Sequence, residues 1–114
     1  MKFFFNGKTY RIFFNHEGFS DENDNWVWEL TLCRIVELDA EGRADRGNEV
    51  ACGIAHRHPS DNFSKEIGRK ISLERALYNA TSFVDSIFGG PLTGASNDSR
   101  RTFRAVAWET YFAR

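Results

Sequence analysis

Cysteine and proline are scarce here, two of each among 114 residues. Two cysteines cannot build the disulfide framework that holds small secreted domains together. Cys33 and Cys52 are therefore read as reduced thiols. No apolar run approaches the roughly 20 residues needed to cross a bilayer. A secretory leader is not expected either, since Met1-Lys2 passes directly into Phe3-Phe4-Phe5 and a turn. The expected location is cytoplasmic, with no membrane partner. Repeats, low-complexity tracts and a second composition zone are also lacking, which leaves one domain over residues 1–114. Strong net charge is missing too. A formal charge of −1 does not suit a long nucleic acid, which is bound through many phosphate contacts. Finally, no GxSxG elbow, P-loop or HExxH helix occurs, so no catalytic residues are assigned and no enzyme activity or cofactor is expected.

What is abundant is aromatic surface, 15% of the chain and chiefly its 11 Phe. That much ring area must enter a core or a contact surface. Charge is also unevenly spread. Residues 1–49 hold ten acids and six bases, giving −4, and residues 50–114 hold six acids and nine bases, giving +3. An anionic partner of modest size would be drawn to the second half.

The pattern of elements predicts an α+β fold, an N-terminal antiparallel sheet of about four strands followed by two C-terminal helices. Phe3-Phe4-Phe5, Asn6-Gly7 and Lys8 to Phe14 form a hairpin signal, because both turn residues accept positive φ. A two-residue turn pairs Phe5 with Lys8 and Phe3 with Tyr10. One face then holds Phe3, Phe5, Tyr10, Ile12 and Phe14, and the other still shows Phe4 and Phe13. Residues 15–25 read as a polar, acidic loop. Trp26 to Leu38 reads as a strand with Trp26, Trp28, Leu30, Leu32, Val36 and Leu38 inward, interrupted by Arg34. Ala40 to Asn48 is a charged turn. Glu49 to Arg57 is the fourth strand, with Gly53 marking a bulge or a close backbone approach. A helix starting between Ser60 and Ser64 runs to about Phe88, burying Ile67, Ile71 or Leu73, Leu77, Ala80, Val84 and Phe88. Gly89-Gly90-Pro91 stops it. Asp98 or Ser99 caps a last helix reaching Phe112, with Phe103, Val106, Ala107 and Tyr111 on its apolar side.

Chemistry concentrates in two basic clusters at helix starts. Arg57 and His58 end a strand, and Asp61 and Phe63 lead into a helix carrying Lys65 and Arg69 on one face. Gly68 lets a ligand or a backbone approach there. Unpaired N–H groups at a helix start favour phosphate; a capped helix with a solvated basic first turn is the alternative. Arg101 and Arg104 lie on the last helix, again near its start. Antiparallel helices would keep the two clusters apart, so a site uniting them would form between subunits. Cys33, Cys52, His56 and His58 are zinc-ligand types without zinc spacing, and strand packing explains the cysteines better. No metal site is assigned. Asp61 beside His58 reads as a turn or helix cap. The Gly-rich loop after residue 88 lacks the Lys of a P-loop.

The stretch from Gly53 through Arg57, His58, Asp61, Phe63, Lys65 and Arg69 to Lys70, with Leu73, Arg75, Ala76 and Leu77, follows the pattern G-x-A-x-x-H-P-x-D-x-F-x-K-x-x-G-R-K and an Arg-Ala-Leu helix. It resembles small phage-encoded proteins, and among them the first-described anti-Thoeris "sponge" family. The resemblance covers about a fifth of the chain. It implies a sheet followed by two helices, a homo-oligomer, and sequestration without cleavage of a cyclic ADP-ribose messenger or, in some members, cyclic oligonucleotides. Transferred position by position, Arg57, His58, Asp61, Phe63, Lys65 and Arg69 become ligand contacts. In that reading the arginines and lysine meet phosphates, Phe63 faces a base, and Asp61 holds a ribose hydroxyl or caps the turn. Arg101 and Arg104 join them on charge alone. The rival reading is an anti-CRISPR-like inhibitor that binds a host defence nuclease, with Asp21, Glu22, Asp24, Glu37, Asp39 and Glu41 imitating phosphates.

Overall fold

A computed structural model describes residues 1–20, 22–23, 26–57, 65–80 and 97–114; the side chains of residues 19, 20, 26–28, 46, 57, 79, 80 and 97 are outside that description. The fold is α+β. Four antiparallel strands are joined in chain order: β1 (Lys2–Phe5), β2 (Lys8–Ser20), β3 (Trp26–Leu38) and β4 (Ala44–Arg57). They curl into a half-barrel and are followed by α1 (Lys65–Ala80) and α2 (Asn97–Phe112).

The first turn follows the rule for Asn-Gly hairpins. Asn6 and Gly7 both have positive φ, 51° and 82°, and Phe5 pairs with Lys8 and Phe3 with Tyr10. Phe3, Tyr10 and Ile12 are buried and Phe5 and Phe14 pack against them, while Phe4 remains 67% exposed. β2 then continues through the residues expected to form a loop. Asn15 faces Leu32, His16 faces Thr31 and Glu17 faces Leu30. Cross-strand bonding to a long β3 supplies partners that the polar side chains alone do not suggest.

The phase of β3 also differs from expectation. Thr31, Cys33 and Ile35 are the buried, inward residues, in register with His16, Phe14 and Ile12. Leu30 and Leu32 lie on the outer face, half-buried, and Arg34 is simply outward rather than a break in the pattern. The register shifts on either side of Val36 allow Val36 and Leu38 to be buried as well. β4 begins at Ala44, earlier than expected, after a turn organised by Asp39, whose Oδ1 accepts from Glu41 N at 3.0 Å and Arg43 N at 2.7 Å.

Both helices lie on the inner face. Alongside Val50, β4 buries the small residues Ala51, Gly53 and Ala55, and α1 answers with buried Gly68, Ser72 and Ala76 at four-residue spacing. A Cβ on Gly53 would stand 2.2 Å from Ser72 O and 2.3 Å from Ala76 N. Small residues on both sides let backbone meet backbone at Gly53. The buried side of α1 matches expectation in part: Leu73 and Leu77 are buried, but Ile67 is 42% exposed. The expected span of α1 beyond residue 80 falls outside the described residues. α2 starts at Asn97, so Asp98 sits in its first turn. It buries Phe103, Ala107 and Tyr111. Phe103 meets the rings of Phe3, Phe5 and Tyr10 with centroids 5.2–5.6 Å apart. No described helix is long and apolar enough to cross a membrane.

Candidate functional site

The sheet ends in polar groups where α1 begins and α2 finishes. α1 runs back along β4 from that end, since Gly53 meets its third turn. α2 runs the other way, from Phe103 beside Tyr10 to Tyr111 beside Phe14. The start of α1 and the end of α2 consequently meet above β2 and β3.

Glu66 links them. Its Oε2 accepts from Arg69 Nη2 at 2.8 Å and from Arg114 Nη2 at 2.6 Å, and its Oε1 accepts from the Tyr111 hydroxyl at 2.9 Å. The Arg69 and Tyr111 hydrogen bonds, followed by the charges of Arg114 and Arg69, pull this carboxyl down to about 2. Arg114 also lies over the Tyr111 ring, 3.9 Å from its centroid. Burial, and then the bond to Glu66, raise the Tyr111 hydroxyl. One carboxylate is thus shared by two guanidinium groups, while Arg69 Nε is buried without a hydrogen-bond partner among the described residues. Lys65 stands exposed beside it.

The floor of this end is His16 and Thr31. His16 Nδ1 lies 3.0 Å from Thr31 Oγ1, and His16 itself is exposed whereas Thr31 is buried. Loss of water, then the charges of Arg69 and Lys65, hold the imidazole below its ordinary value, with Glu29 acting in the opposite sense. These shifts place His16 within electrostatic reach of α1. Among the described residues named here, the cations Lys65, Arg69 and Arg114 outnumber the acids Glu66 and Glu29.

Of the residues singled out by sequence, Lys65 and Arg69 come together here. Arg57 closes β4 in register with Glu29, at the same end of the sheet. His58, Asp61 and Phe63 lie outside the described residues. Arg101 and Arg104 do not join them. Both sit early in α2, and about 15 Å of helix rise separates Arg101 from Tyr111. The antiparallel helices keep the two clusters at opposite ends of one chain. His16, Glu66, Tyr111 and Arg114 were missed. The Glu66–Arg69 spacing of three is a legible helix pair, but nothing in the sequence signalled His16, which looked like part of a loop.

Cys33 and Cys52 belong to opposite faces of the sheet, because Cys33 pairs with Gly53 and Arg34 with Cys52. Burial pushes the Cys33 thiol up. Among the described residues no group of three or more His, Cys, Asp or Glu is placed to hold a metal. No family model matches the chain, and no curated protein or solved structure is significantly similar to it.

Proposed function

We propose that the protein binds a phosphorylated nucleotide messenger of the cyclic ADP-ribose type and holds it without cleaving it, as a phage anti-defence sponge does. The observation that carries this reading is the pairing of Arg69 and Arg114 on one carboxylate, with Lys65 exposed one helical turn before Arg69. Arg69 offers a planar fork suited to a phosphate. Its Nε has no other hydrogen-bond partner among the described residues. The resemblance of the stretch from Gly53 to Lys70 to sponge proteins points the same way. Retention would need slow release rather than turnover, so no acid–base pair is assigned.

The rival, a nuclease-binding inhibitor, draws on one feature. β2 and β3 stay paired as far as Ser20 and Trp26, which places Glu17 and Glu29 on a long hairpin leading to Glu22. Such an acidic arm could imitate a phosphate backbone. Incubating the protein with cyclic ADP-ribose isomers, washing it, and releasing the contents by heat separates the readings. Intact messenger in the released fraction is expected. A changed messenger would make the protein an enzyme, and no retention would favour the inhibitor.

A further inference from the structure

We infer that His16 belongs to this phosphate site as a titratable donor, so that the site grips its anion more tightly as the pH falls. The inference rests on Lys65 and Arg69 being phosphate contacts. His16 stands on the inner face of β2, towards the end of the sheet where α1 begins, and its ring is held from one side. Nδ1 is 3.0 Å from Thr31 Oγ1, and Thr31 is only 7% exposed, so that partner is fixed. Nε2 is the ring atom this contact leaves for a ligand.

Among the described residues, the charged groups facing His16 are Arg69 and Lys65 from α1 and Glu29 from β3. Arg114 and Tyr111, from the end of α2, reach Glu66 on the far side of Arg69. Burial and the two α1 cations disfavour the charged imidazolium in the free protein. A phosphate seated among Lys65, Arg69 and His16 neutralises those cations and adds an anion beside the ring. The imidazolium is then favoured, and Nε2–H becomes a charged donor. By linkage, a group that gains proton affinity on binding strengthens binding at lower pH, by up to about tenfold per pH unit between its free and bound pKa values.

The test uses ADP-ribose and cyclic ADP-ribose, whose diphosphate diesters keep their charge over this range. Calorimetry at fixed ionic strength should show affinity rising about three- to tenfold from about pH 8 to about pH 5.5 for the natural protein. His16→Gln, with an unchanged melting temperature, should flatten that dependence. As a second readout on the unmutated chain, the NMR titration of the His16 ring should move upward when either nucleotide is added. A flat profile in the natural protein, an equal slope in the variant, or an unmoved ring titration overturns the role of His16 while leaving the phosphate reading in place. Absence of binding by either nucleotide at both pH values overturns the phosphate reading and the role of His16 with it.

Discussion

Glu66 is the residue on which the two helices and the candidate site both depend. Its carboxyl titrates near 2 in the folded chain against an ordinary 4.5. A carboxyl with a depressed folded value contributes stability above its unfolded value and loses that contribution as the pH falls through the folded one. Denaturant melts should therefore show a loss between about pH 4.5 and pH 2 that Glu66→Gln lacks, because the variant has already lost it at neutral pH. The same substitution frees Arg69 and Arg114 of their shared counter-charge. If they serve a phosphate, Glu66→Gln should bind cyclic ADP-ribose more tightly although it melts lower. Arg69→Ala should weaken binding by about 1.5–3 kcal/mol, on the scale of a charge-assisted hydrogen bond. Should its affinity fall only in step with the folded fraction, Arg69 is an anchor for Glu66 and not a ligand contact. At this scale the sequence was half legible. Lys65 and Arg69 announced themselves by spacing, but His16 and Arg114 reach the site through pairing and helix direction, which one-dimensional spacing does not encode.

Among the elements, the seat of α1 on β4 is the tightest constraint. Gly53→Ala would place a methyl 2.2 Å from Ser72 O, with Ala76 N and Arg75 C close behind, and all three obstructing atoms are backbone. A destabilisation of about 1–3 kcal/mol or more is expected, as for overpacked cores, and a denaturation midpoint within error of the natural one would refute the close seat. The order of elements, the Asn6-Gly7 turn and the Gly53 approach could all be read beforehand, because each rests on local backbone chemistry. The phase of β3 could not. Its outer face carries Leu30, Leu32 and Val36, so both faces look apolar and alternation picks the wrong one. The buried side of α1 was read only in part, Leu73 and Leu77 but not their small neighbours: Ser72 and Ala76 are buried where α1 meets Gly53, and their small size hides them from a hydrophobic count.

For the whole molecule, the outer face of the sheet bears on self-association. With both described helices on the inner face, it leaves Phe4 67% and Ile54 40% exposed. Phe13 lies between the guanidinium groups of Arg11 and Arg34, at 4.7 and 6.0 Å from its ring centroid. Covering such a face would contribute roughly 25 cal/mol per Å² of apolar surface. Light scattering at micromolar concentration should return a multiple of 13.1 kDa, and Phe4→Asp should shift it toward the monomer. A stable 13.1 kDa species for the natural chain would rule out the oligomer.

The contact of Phe103 with Phe3 and Tyr10 also has a kinetic meaning. It joins the first strand to the last helix, so its closure carries the entropy of a loop nearly as long as the chain. During synthesis the inner face near Phe3 and Tyr10 must wait uncovered until α2 emerges. α2 should thus dock after the rate-limiting step. Phe103→Ala should cost about 3–5 kcal/mol and register mainly as faster unfolding, with refolding little changed. Stopped-flow traces in which the refolding arm slows instead would place α2 in the nucleus, and the chain would then begin to fold only once its last helix had left the ribosome.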